Sequence, residues 1–415
     1  MTRFRSDLLR VYQERGFIHQ ITDPEGLDAR AASERVVCYV GYDCTADSLH
    51  IGHLVSIMML RWLQKTGHRP VALMGGGTTK VGDPSGKDDA RKLLAEEIIA
   101  TNLLAIRKTF ASFLHFGDGP VDAVMANNAE WLDELRYIPF LRDIGRHFSV
   151  NRMLTMDSVK LRLERDQPLS FLEFNYMLLQ SYDFVELAKR YGCNLQMGGS
   201  DQWGNIVMGV ELGRRVAELS LFGLTTPLIT TASGQKMGKT ASGAIWLGAH
   251  RLSPYDYYQF WRNTEDADVG RFAKLFTELP LTEIARLEAL AGAEINEAKK
   301  ILALEATKLL HGEEAALSAA QTARQVFEQG TIGADVPSFA ILTDTPMGLP
   351  QLLVEVAISA STSEGRRLIE QGAIMIGDQP VTDWRRKLSV ADLGERDDLK
   401  ITRGKKKIVS VRAKT

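Results

Sequence analysis

The sequence has few cysteines, no long hydrophobic run and no excess of either charge. Its three cysteines, Cys38, Cys44 and Cys193, lack CxxC spacing and are odd in number. This argues against a disulfide framework or a cysteine-based zinc site and favours a reducing compartment. No apolar segment reaches the length of a membrane span, and no signal-type apolar core follows the N-terminal arginines. We therefore expect a cytoplasmic protein without a membrane partner.

The chain is nearly neutral, with 50 Lys or Arg against 52 Asp or Glu and a formal charge of −2. Any surface for nucleic acid must therefore be local. Residues 385–415 carry a local excess, with eleven Lys or Arg and four Asp or Glu. At 415 residues and 45% hydrophobic composition, the chain can form a globular protein of about two or three domains.

Two short segments far apart in the sequence carry the strongest chemical signal. His50-Ile51-Gly52-His53 follows a strand-like run over 36–42 and opens a helical pattern over 54–64. A helix N-terminus presents unpaired amides and partial positive charge, which suit a phosphate. Lys236-Met237-Gly238-Lys239-Thr240 is predicted on a loop after a strand at 226–231, and its lysines suit a polyphosphate. Alone, the histidines could be structural or metal ligands and the loop a solvated turn. Together they predict an ATP site.

A third segment, at 170–183, predicts a buried helix with a polar stripe. Ser170 and Glu173 form a capping box, so a helix should begin there. Tyr176, Gln180 and Asp183 then share one face of an otherwise apolar helix. Buried polar groups need partners. These three could pair with one another, bond to backbone or bind a polar ligand, and the spacing leaves these alternatives open.

Two glycine-rich stretches complete the pattern. The first, over 75–87, is not a Walker P-loop, because Val81 occupies the first glycine position and Asp88 follows the lysine. The second, over 196–205, joins a predicted strand to a predicted helix with Asp201 as its N-cap. Paired glycines suit the packing of a flat adenosine, and a carboxylate can accept two ribose hydroxyls.

The C-terminal residues predict a helix followed by paired strands. Ser361 and Glu364 form a capping box, and Gly372 should end the helix that they begin. A hairpin is predicted next, with one strand over 373–376, a turn at Gly377-Asp378 and a second strand that includes Val381. A second, basic hairpin is predicted at 403–407. It could be a solvated tail, but the preceding helix favours an RNA surface.

These segments together resemble class I aminoacyl-tRNA synthetases from near residue 35 to the C-terminus. The runs over 39–50 and 196–205 are most similar to bacterial tyrosyl-tRNA synthetases. The 236–240 segment departs from the commonest form of the class at Gly238 and Thr240, where serines are frequent.

The resemblance implies an α/β fold, with a Rossmann-like parallel-sheet catalytic domain over 1–248. It also implies an inserted homodimer interface near 130–160, a helical anticodon-side domain over 249–329 and a linker over 330–347. A small α+β RNA-binding domain, similar to one named after a ribosomal protein, is expected over 348–415.

The implied activity is that of a tyrosine–tRNA ligase. Such an enzyme activates L-tyrosine with ATP, forms tyrosyl-adenylate and pyrophosphate, and transfers tyrosine to the terminal adenosine of tRNA(Tyr). Mg2+ should accompany ATP, and no metal held by protein ligands is expected. The alternatives are a tryptophanyl enzyme, which Tyr39 and Asp183 argue against, and a non-catalytic RNA-binding relative, which the retained charged residues argue against.

The resemblance also assigns individual residues. Those implied to contact tyrosine are Tyr39, Asp83, Tyr176, Gln180, Asp183, Gln196 and Gln202. Those implied to contact ATP are Gly41, Asp43, Gly52, Gly199, Asp201 and Met237. Those implied to act on the reacting phosphates, ribose or acceptor end are Thr45, His50, His53, Lys87, Arg91, Lys236, Lys239 and Thr240. Those implied to contact tRNA are Arg214, Arg215, Arg366, Arg367, Lys405 and Lys406.

Overall fold

The computed structural model describes residues 4–85, 93–234, 237, 239–240, 243–328, 336–377, 379–393, 398–404 and 407–414, with the backbone alone at 239–240, 243 and 326–328. The chain forms two compact units. The first comprises Met1–Gly238, Trp246–Arg251 and Gly270–Arg286, and the second comprises Lys239–Ile245, Leu252–Val269 and Leu287–Thr415. Within the described ranges, no helix is long and apolar enough to cross a membrane.

A six-stranded sheet forms the centre of the first unit. Its strands are β1 (Gln20–Ile21), β2 (Val37–Tyr42), β3 (Arg69–Met74), β4 (Val124–Asn127), β5 (Leu195–Gly199) and β6 (Phe222–Thr226). Their spatial order is β1-β6-β5-β2-β3-β4, and only β1 runs antiparallel to its neighbour. The chain proceeds outward from β2 on one side and from β5 on the other. The strand order therefore reverses between β2 and β5, which is called a topological switch point. Ligands of such sheets bind at the carboxyl ends of the two strands that flank it.

Helices cover this sheet because β2 and β3 are nearly continuous apolar runs that must be buried on both faces. The helices are α1 (Asp7–Arg15), α2 (Pro24–Ser33), α3 (Ile51–Lys65), α4 (Glu96–Ala111), α5 (Ala129–Leu132), α6 (Tyr137–Asp143), α7 (Val150–Met153), α8 (Asp157–Glu164), α9 (Phe171–Phe174), α10 (Tyr176–Tyr191) and α11 (Trp203–Ala217). The predicted parallel-sheet α/β fold is therefore confirmed.

Residues 254–328 are mostly helical. After a short ladder of β7 (Lys239–Thr240) and β8 (Gly243–Ala244), the helices are α12 (Pro254–Arg262), α13 (Val269–Phe276), α14 (Leu281–Glu288), α15 (Ile295–His311) and α16 (Glu313–Glu328). Most of α13 and α14 belong to the first unit, and the others belong to the second.

The C-terminal residues of the second unit form a small α+β module. Its elements are β9 (Ser338–Leu342), β10 (Met347–Gly348), α17 (Leu349–Glu355), α18 (Thr362–Glu370), β11 (Ile374–Ile376), β12 (Gln379–Val381), β13 (Lys387–Leu388), β14 (Asp398–Arg403) and β15 (Lys407–Ala413). Five strands pair in the order β12-β11-β14-β15-β9. The module has an apolar core of its own, which includes Leu352, Ile369, Ile401 and Val411.

The predicted helix and hairpins of this module are present, but its sheet begins earlier than expected. Ser361 caps α18 by accepting from the Glu364 backbone N–H, and Gly372 has a φ of 67° just beyond the helix. Residues 338–342, predicted to be linker, form β9 and pair in parallel with β15. This strand cannot be recognised locally, because its pairing partner lies about seventy residues further along the chain.

Three local predictions in the first unit are corrected. The strand predicted at 226–231 is wrong, since β6 ends at Thr226, directly before Pro227, which has no N–H for a ladder. The prediction of Asp201 as an N-cap is also wrong. Asp201 lies inside a 3-10 turn over Ser200–Gln202, and α11 begins after Gln202 with no side-chain cap. The helix predicted from residue 171 is interrupted at Asn175 and forms α9 and α10.

Candidate active site

A buried hydroxyl and a buried carboxylate lie at the centre of the sheet. Tyr39 on β2 is 1% exposed, and its hydroxyl has no hydrogen-bond partner among the described residues. Its ring packs edge-on against Phe184, at 5.2 Å between centroids. Burial raises the pKa of Tyr39 well above its usual value, and the Asp183 carboxylate on α10 adds to that shift. An unpaired phenol beside a carboxylate is suited to binding a further hydroxyl.

The Asp183 carboxylate is held by two donors that the sequence analysis missed. Trp131 Nε1 donates to Asp183 Oδ1 at 2.7 Å, and Asn128 Nδ2 donates to Oδ2 at 3.0 Å. Asn128 Oδ1 accepts from the backbone N–H of Gly77 at 2.8 Å, which fixes the orientation of the amide. The only local signal was the polar pair Asn127-Asn128 at the end of an apolar strand.

The electrostatic state of Asp183 follows from its burial. Desolvation raises the pKa of this carboxyl to about 7, against the opposing effect of the Asn128 and Trp131 hydrogen bonds. Near neutral pH the group can therefore exchange between its ionised and protonated forms. A buried titratable group with a shifted pKa, close to the central strand β2, is a candidate for ligand binding.

A second polar cluster joins the end of β2 to α10. The Tyr176 hydroxyl donates to Asp43 Oδ2 at 3.1 Å, and the Thr78 hydroxyl donates to Asp43 Oδ1 at 2.8 Å. Burial raises the pKa of Tyr176 well above its usual value, with further contributions from Asp43 and Asp83. The cluster thus concentrates carboxylates around a neutral phenol, an environment that favours a cation.

A chain of side-chain amides connects α10 to the loop after β3. Gln180 Nε2 donates to Gln202 Oε1 at 3.2 Å, and Gln202 Nε2 donates to Asp83 Oδ2 at 2.9 Å. Asn205 Nδ2 donates to Gln180 Oε1 at 2.9 Å. The polar stripe of α10 is therefore partly satisfied within the protein. Gln196 on β5 is 2% exposed, and its Oε1 has no partner among the described residues.

His50 and His53 form a reciprocal cap at the start of α3. His50 Nδ1 accepts from the Gly52 backbone N–H at 3.1 Å, and His53 Nδ1 accepts from the His50 backbone N–H at 3.2 Å. Because Nδ1 is the acceptor in both rings, each neutral imidazole carries its hydrogen on Nε2. Two Nε2–H donors at a helix N-terminus suit a polyphosphate or ribose oxygen.

Three glycines permit close approach of a ligand or a side chain to the backbone. A Cβ at Gly41 on β2 would meet nothing within 4 Å, so open space lies above this strand. At Gly52 it would lie 2.8 Å from the His50 ring, and at Gly199 it would lie 2.5 Å from Asp201 Oδ1. Thr45 is exposed in the loop between β2 and α3. These residues surround the carboxyl ends of β2 and β5.

Several predicted residues lie wholly or partly outside the described part of the chain. Met237 is 7% exposed, and its N–H donates to Ile229 O at 2.9 Å. For Lys239 and Thr240 only the backbone is described, which pairs with Gly243–Ala244. The predicted residues outside the described ranges are Lys87, Arg91, Lys236, Lys405 and Lys406.

The four described residues predicted to contact tRNA are exposed arginines. On α11, Arg215 donates to His147 O at 2.6 Å, and Arg214 lies beside it. On α18, the Arg366 guanidinium lies 4.2 Å from the centroid of the Trp384 ring, and Arg367 is its neighbour. Among the residues that the structure describes, no cluster of three His, Cys, Asp or Glu could hold a metal ion.

Comparisons with known proteins give a consistent result along the whole chain. Residues 31–328 match the model for tRNA synthetases class I (W and Y), and residues 326–411 match the model for the tyrosine–tRNA ligase SYY-like C-terminal domain. The chain is 62% identical to the tyrosine–tRNA ligase of Rhodopseudomonas palustris, across 99% of this chain and 100% of that protein. It is also 62% identical to the tyrosine–tRNA ligase of Rhodospirillum rubrum, across 99% of each chain.

A solved structure is similar over the residues that precede the C-terminal module. The C-terminally truncated mitochondrial tyrosyl-tRNA synthetase of Aspergillus nidulans superposes with a TM-score of 0.70 at 33% identity. The match covers 78% of this chain and 95% of that one.

Proposed function

The chain belongs to the class I tRNA synthetases of the W and Y family and is a tyrosine–tRNA ligase, and we propose that it activates tyrosine at the carboxyl ends of β2 and β5. One observation carries the assignment of this site. The buried Tyr39 hydroxyl, without a partner among the described residues, lies in the electrostatic field of an Asp183 carboxylate that two donors orient.

The phenol of the substrate binds between Tyr39 and Asp183 in this proposal. The substrate hydroxyl donates to Asp183 and accepts from Tyr39, so both buried groups gain a partner. Phenylalanine would leave the desolvated carboxylate and the Tyr39 hydroxyl without the hydrogen bonds that the substrate hydroxyl supplies, which is how a hydroxyl-binding site rejects an analogue that lacks the hydroxyl. Gln196, whose Oε1 is also buried without a partner in the described chain, contributes to the same end of the site.

The substrate ammonium binds to Asp83, Tyr176 and Gln180. This assignment is supported by the hydrogen bond from Gln202 to Asp83 and by the carboxylates that surround Tyr176. Gln202 then acts by holding the Asp83 carboxylate and the Gln180 amide in place. An ammonium placed here leaves the substrate carboxylate directed toward the α-phosphate of ATP.

ATP is a substrate of this family, and we assign its contacts to the residues around α3 and the end of β5. Asp201 accepts from ribose hydroxyls, while Gly199 and Gly41 allow the nucleoside to approach the backbone. His50 and Thr45 donate to the phosphates, and His53 lies near the ribose. The remaining proposed ATP contacts are Asp43, Gly52 and Met237.

The activation step needs no protein nucleophile. The ionised carboxylate of tyrosine attacks the α-phosphate in line, and the bond from that phosphorus to the bridging oxygen of pyrophosphate breaks. The protein therefore acts by orienting the reactants and stabilising charge on the departing pyrophosphate. We assign that stabilisation to Lys236, Lys239 and Thr240, with Lys87 and Arg91 facing pyrophosphate or the acceptor end.

Mg2+ enters with ATP in this proposal. Mg2+ usually keeps several of its waters and binds mainly through substrate phosphates. A hydroxyl of the terminal adenosine of tRNA(Tyr) then attacks the carbonyl carbon of tyrosyl-adenylate, and AMP leaves. We propose the cytoplasm as the compartment, which agrees with three buried free thiols.

Recognition of tRNA is assigned to two surfaces. Arg214 and Arg215 on α11 contact the acceptor arm, and the C-terminal module contacts a second part of the molecule through Arg366, Arg367, Lys405 and Lys406. The local excess of positive charge over 385–415 supports the second assignment.

The proposed function is tested by amino-acid-dependent exchange of labelled pyrophosphate into ATP without tRNA. Exchange is expected with tyrosine, and phenylalanine and tryptophan should support far less. Exchange driven by tryptophan would favour the sister enzyme of the family. No exchange with any amino acid would instead favour a non-catalytic RNA-binding protein.

We further propose that the chain forms a homodimer through the inserted region. Eight apolar side chains between 137 and 172 are more than two-fifths exposed. They are Tyr137, Ile138, Val150, Leu154, Leu161, Leu163, Phe171 and Leu172. Exposed apolar side chains in this number within one region of the chain are typical of an interaction surface. It extends past the region predicted at 130–160.

Changing Ile138 or Phe171 to aspartate is expected to convert the dimer into a monomer. Each side chain is about two-thirds exposed, so the change should alter association more than folding. The mass in solution, measured by light scattering after gel filtration, checks this result. Leu317→Asp is the matched control, because Leu317 is 55% exposed on α16 and lies outside the patch. An unchanged mass for both interface variants would contradict the proposal.

A further inference from the structure

Trp384, in the segment between β12 and β13, carries two arginine side chains on its ring. Arg366 Cζ lies 4.2 Å from the centroid of the ring, and Arg385 Cζ lies 4.7 Å from it. Both distances are within the range at which an indole attracts a cation. Arg366 belongs to α18, whereas Arg385 directly follows Trp384 in the chain. The indole therefore brings together charges from two elements of the C-terminal module.

The position of the indole is fixed by the module. Trp384 is partly buried and packs against the apolar core of the module. Asp383 Oδ1 accepts from the Arg385 backbone N–H at 3.0 Å, and Asp383 O accepts from the Arg386 backbone N–H at 3.2 Å. These two bonds close a turn around Trp384. The ring is thus an ordered support for the two guanidiniums.

The electrostatics of this group favour an anion. Arg366 Nε donates to Glu370 Oε1 at 2.9 Å, and the terminal nitrogens of Arg366 have no partner among the described residues. Within the described chain, Arg385 forms no ion pair. Two like charges held on one ring repel each other, and an anion that contacts both relieves the repulsion. Both side chains are exposed, so the anion can come from another molecule.

A phosphodiester is the anion that fits two stacked guanidiniums. The planar edge of a guanidinium donates in pairs to phosphate oxygens, and stacking on an aromatic face leaves that edge available. The next two residues, Arg386 and Lys387, are also exposed cations. They begin the basic stretch over 385–415, which carries eleven Lys or Arg against four Asp or Glu. A polymer with many phosphates, such as RNA, can contact several of these charges at once.

We infer that Trp384 is a positioning residue for tRNA binding, because it holds Arg366 and Arg385 together as one phosphate-binding site. This inference rests on the proposed role of the C-terminal module in tRNA binding, and it adds Trp384 and Arg385 to the residues assigned there. Trp384 itself contacts no RNA in this account. It lowers the cost of binding, because stacked side chains have less rotamer freedom to lose when they meet a phosphate.

The test compares Trp384→Leu with Trp384→Phe in the full-length chain, by direct binding to a tRNA(Tyr) transcript at one fixed salt concentration. Leucine keeps an apolar contact with the core but has no aromatic face, whereas phenylalanine keeps both. Trp384→Leu is expected to weaken binding about fivefold, and Trp384→Phe less than about twofold. In charging assays, the loss should appear in the KM for tRNA, with kcat changed by less than about twofold.

A second background shows whether Trp384 acts through the arginines. The combined Arg366→Ala and Arg385→Ala variant removes both charges, and in this background Trp384→Leu should cost less than about twofold. The matched control is Phe339→Leu on β9. Phe339 is also a partly buried aromatic residue that packs against the same core, and no arginine of the described chain lies over its ring. This control should leave tRNA affinity unchanged.

The outcomes separate the inference from the proposed function. If the combined arginine variant binds tRNA as tightly as wild type, the role proposed for this basic surface fails, and the inference fails with it. If that variant binds weakly but Trp384→Leu binds as tightly as wild type, only the inference is overturned.

Two further results would overturn the inference alone. A full fivefold cost of Trp384→Leu in the arginine-free background would show that the ring contacts RNA directly or only supports the fold of the module. Equal losses in Trp384→Leu and Trp384→Phe would show that the aromatic face has no part in binding.

Discussion

Asp183→Ala is expected to remove the preference for tyrosine over phenylalanine in pyrophosphate exchange. The variant deletes the acceptor that two buried donors and the substrate hydroxyl share. Trp131 Nε1 and Asn128 Nδ2 then lose their partner inside the protein. Tyrosine-specific synthetases are the established example of such discrimination, and its magnitude for that class is already known to be on the order of 10⁴ to 10⁵. Exchange measured with both amino acids checks the result, and retained selectivity would contradict the role of Asp183.

The same carboxylate should make tyrosine binding depend on pH. The ionised carboxylate is the better acceptor for the substrate hydroxyl, because protonation places a hydrogen on an oxygen to which Trp131 or Asn128 already donates, and burial raises the pKa of Asp183 to about 7. Tyrosine affinity should therefore fall by up to about tenfold for each pH unit below that value and level off above it.

A variant of Trp131 tests whether Asp183, and no other titratable group, sets the pH dependence of tyrosine binding. Trp131→Phe removes a donor that lowers the pKa of Asp183, so the midpoint of the tyrosine-binding profile should move to higher pH. Trp62→Phe is the matched control, because the Trp62 Nε1 is buried without a partner among the described residues. An unmoved midpoint in Trp131→Phe would show that another group titrates.

The sequence predicted the elements that carry the site better than it predicted their mutual contacts. Helix starts follow from short-range rules, so the caps at Ser170 and Ser361 could be identified directly. The two histidines before α3 and the acidic residue after β5 could each be placed at a junction between a strand and a helix. Burial of the polar stripe on α10 followed from its apolar surroundings.

The orientation of those residues could not be predicted in the same way. Trp131 and Asn128 meet Asp183 across more than fifty residues of sequence, and only the packing of β4 beside β3 brings them there. Each residue of the stripe has a side-chain partner elsewhere in the described chain. Gln180 bonds to neighbouring amides, whereas the two Asp183 oxygens accept from Trp131 and Asn128 and the carboxylate contributes to the raised pKa of Tyr39. Local spacing cannot distinguish these cases, because each depends on long-range neighbours.

Removal of residues 329–415 is expected to uncouple the two steps of the reaction. The truncated chain should retain tyrosine-dependent pyrophosphate exchange within about twofold, while kcat/KM for tRNA falls by about 100-fold or more through lost phosphate contacts. The module has its own apolar core and sheet, so its removal leaves the sheet of the first unit intact.

The salt dependence of charging gives this prediction its sharpest control. If the module binds the phosphate backbone, the full-length enzyme should lose tRNA affinity steeply as salt rises, and the truncated enzyme should show a shallower slope. Arg366→Ala combined with Arg367→Ala should lower the slope by about two, since each lost phosphate contact removes about one unit. Charging that survives truncation would leave the module without a role in tRNA binding. Loss of exchange together with charging would instead indicate that the module supports the catalytic fold, because tyrosine activation involves no nucleic acid.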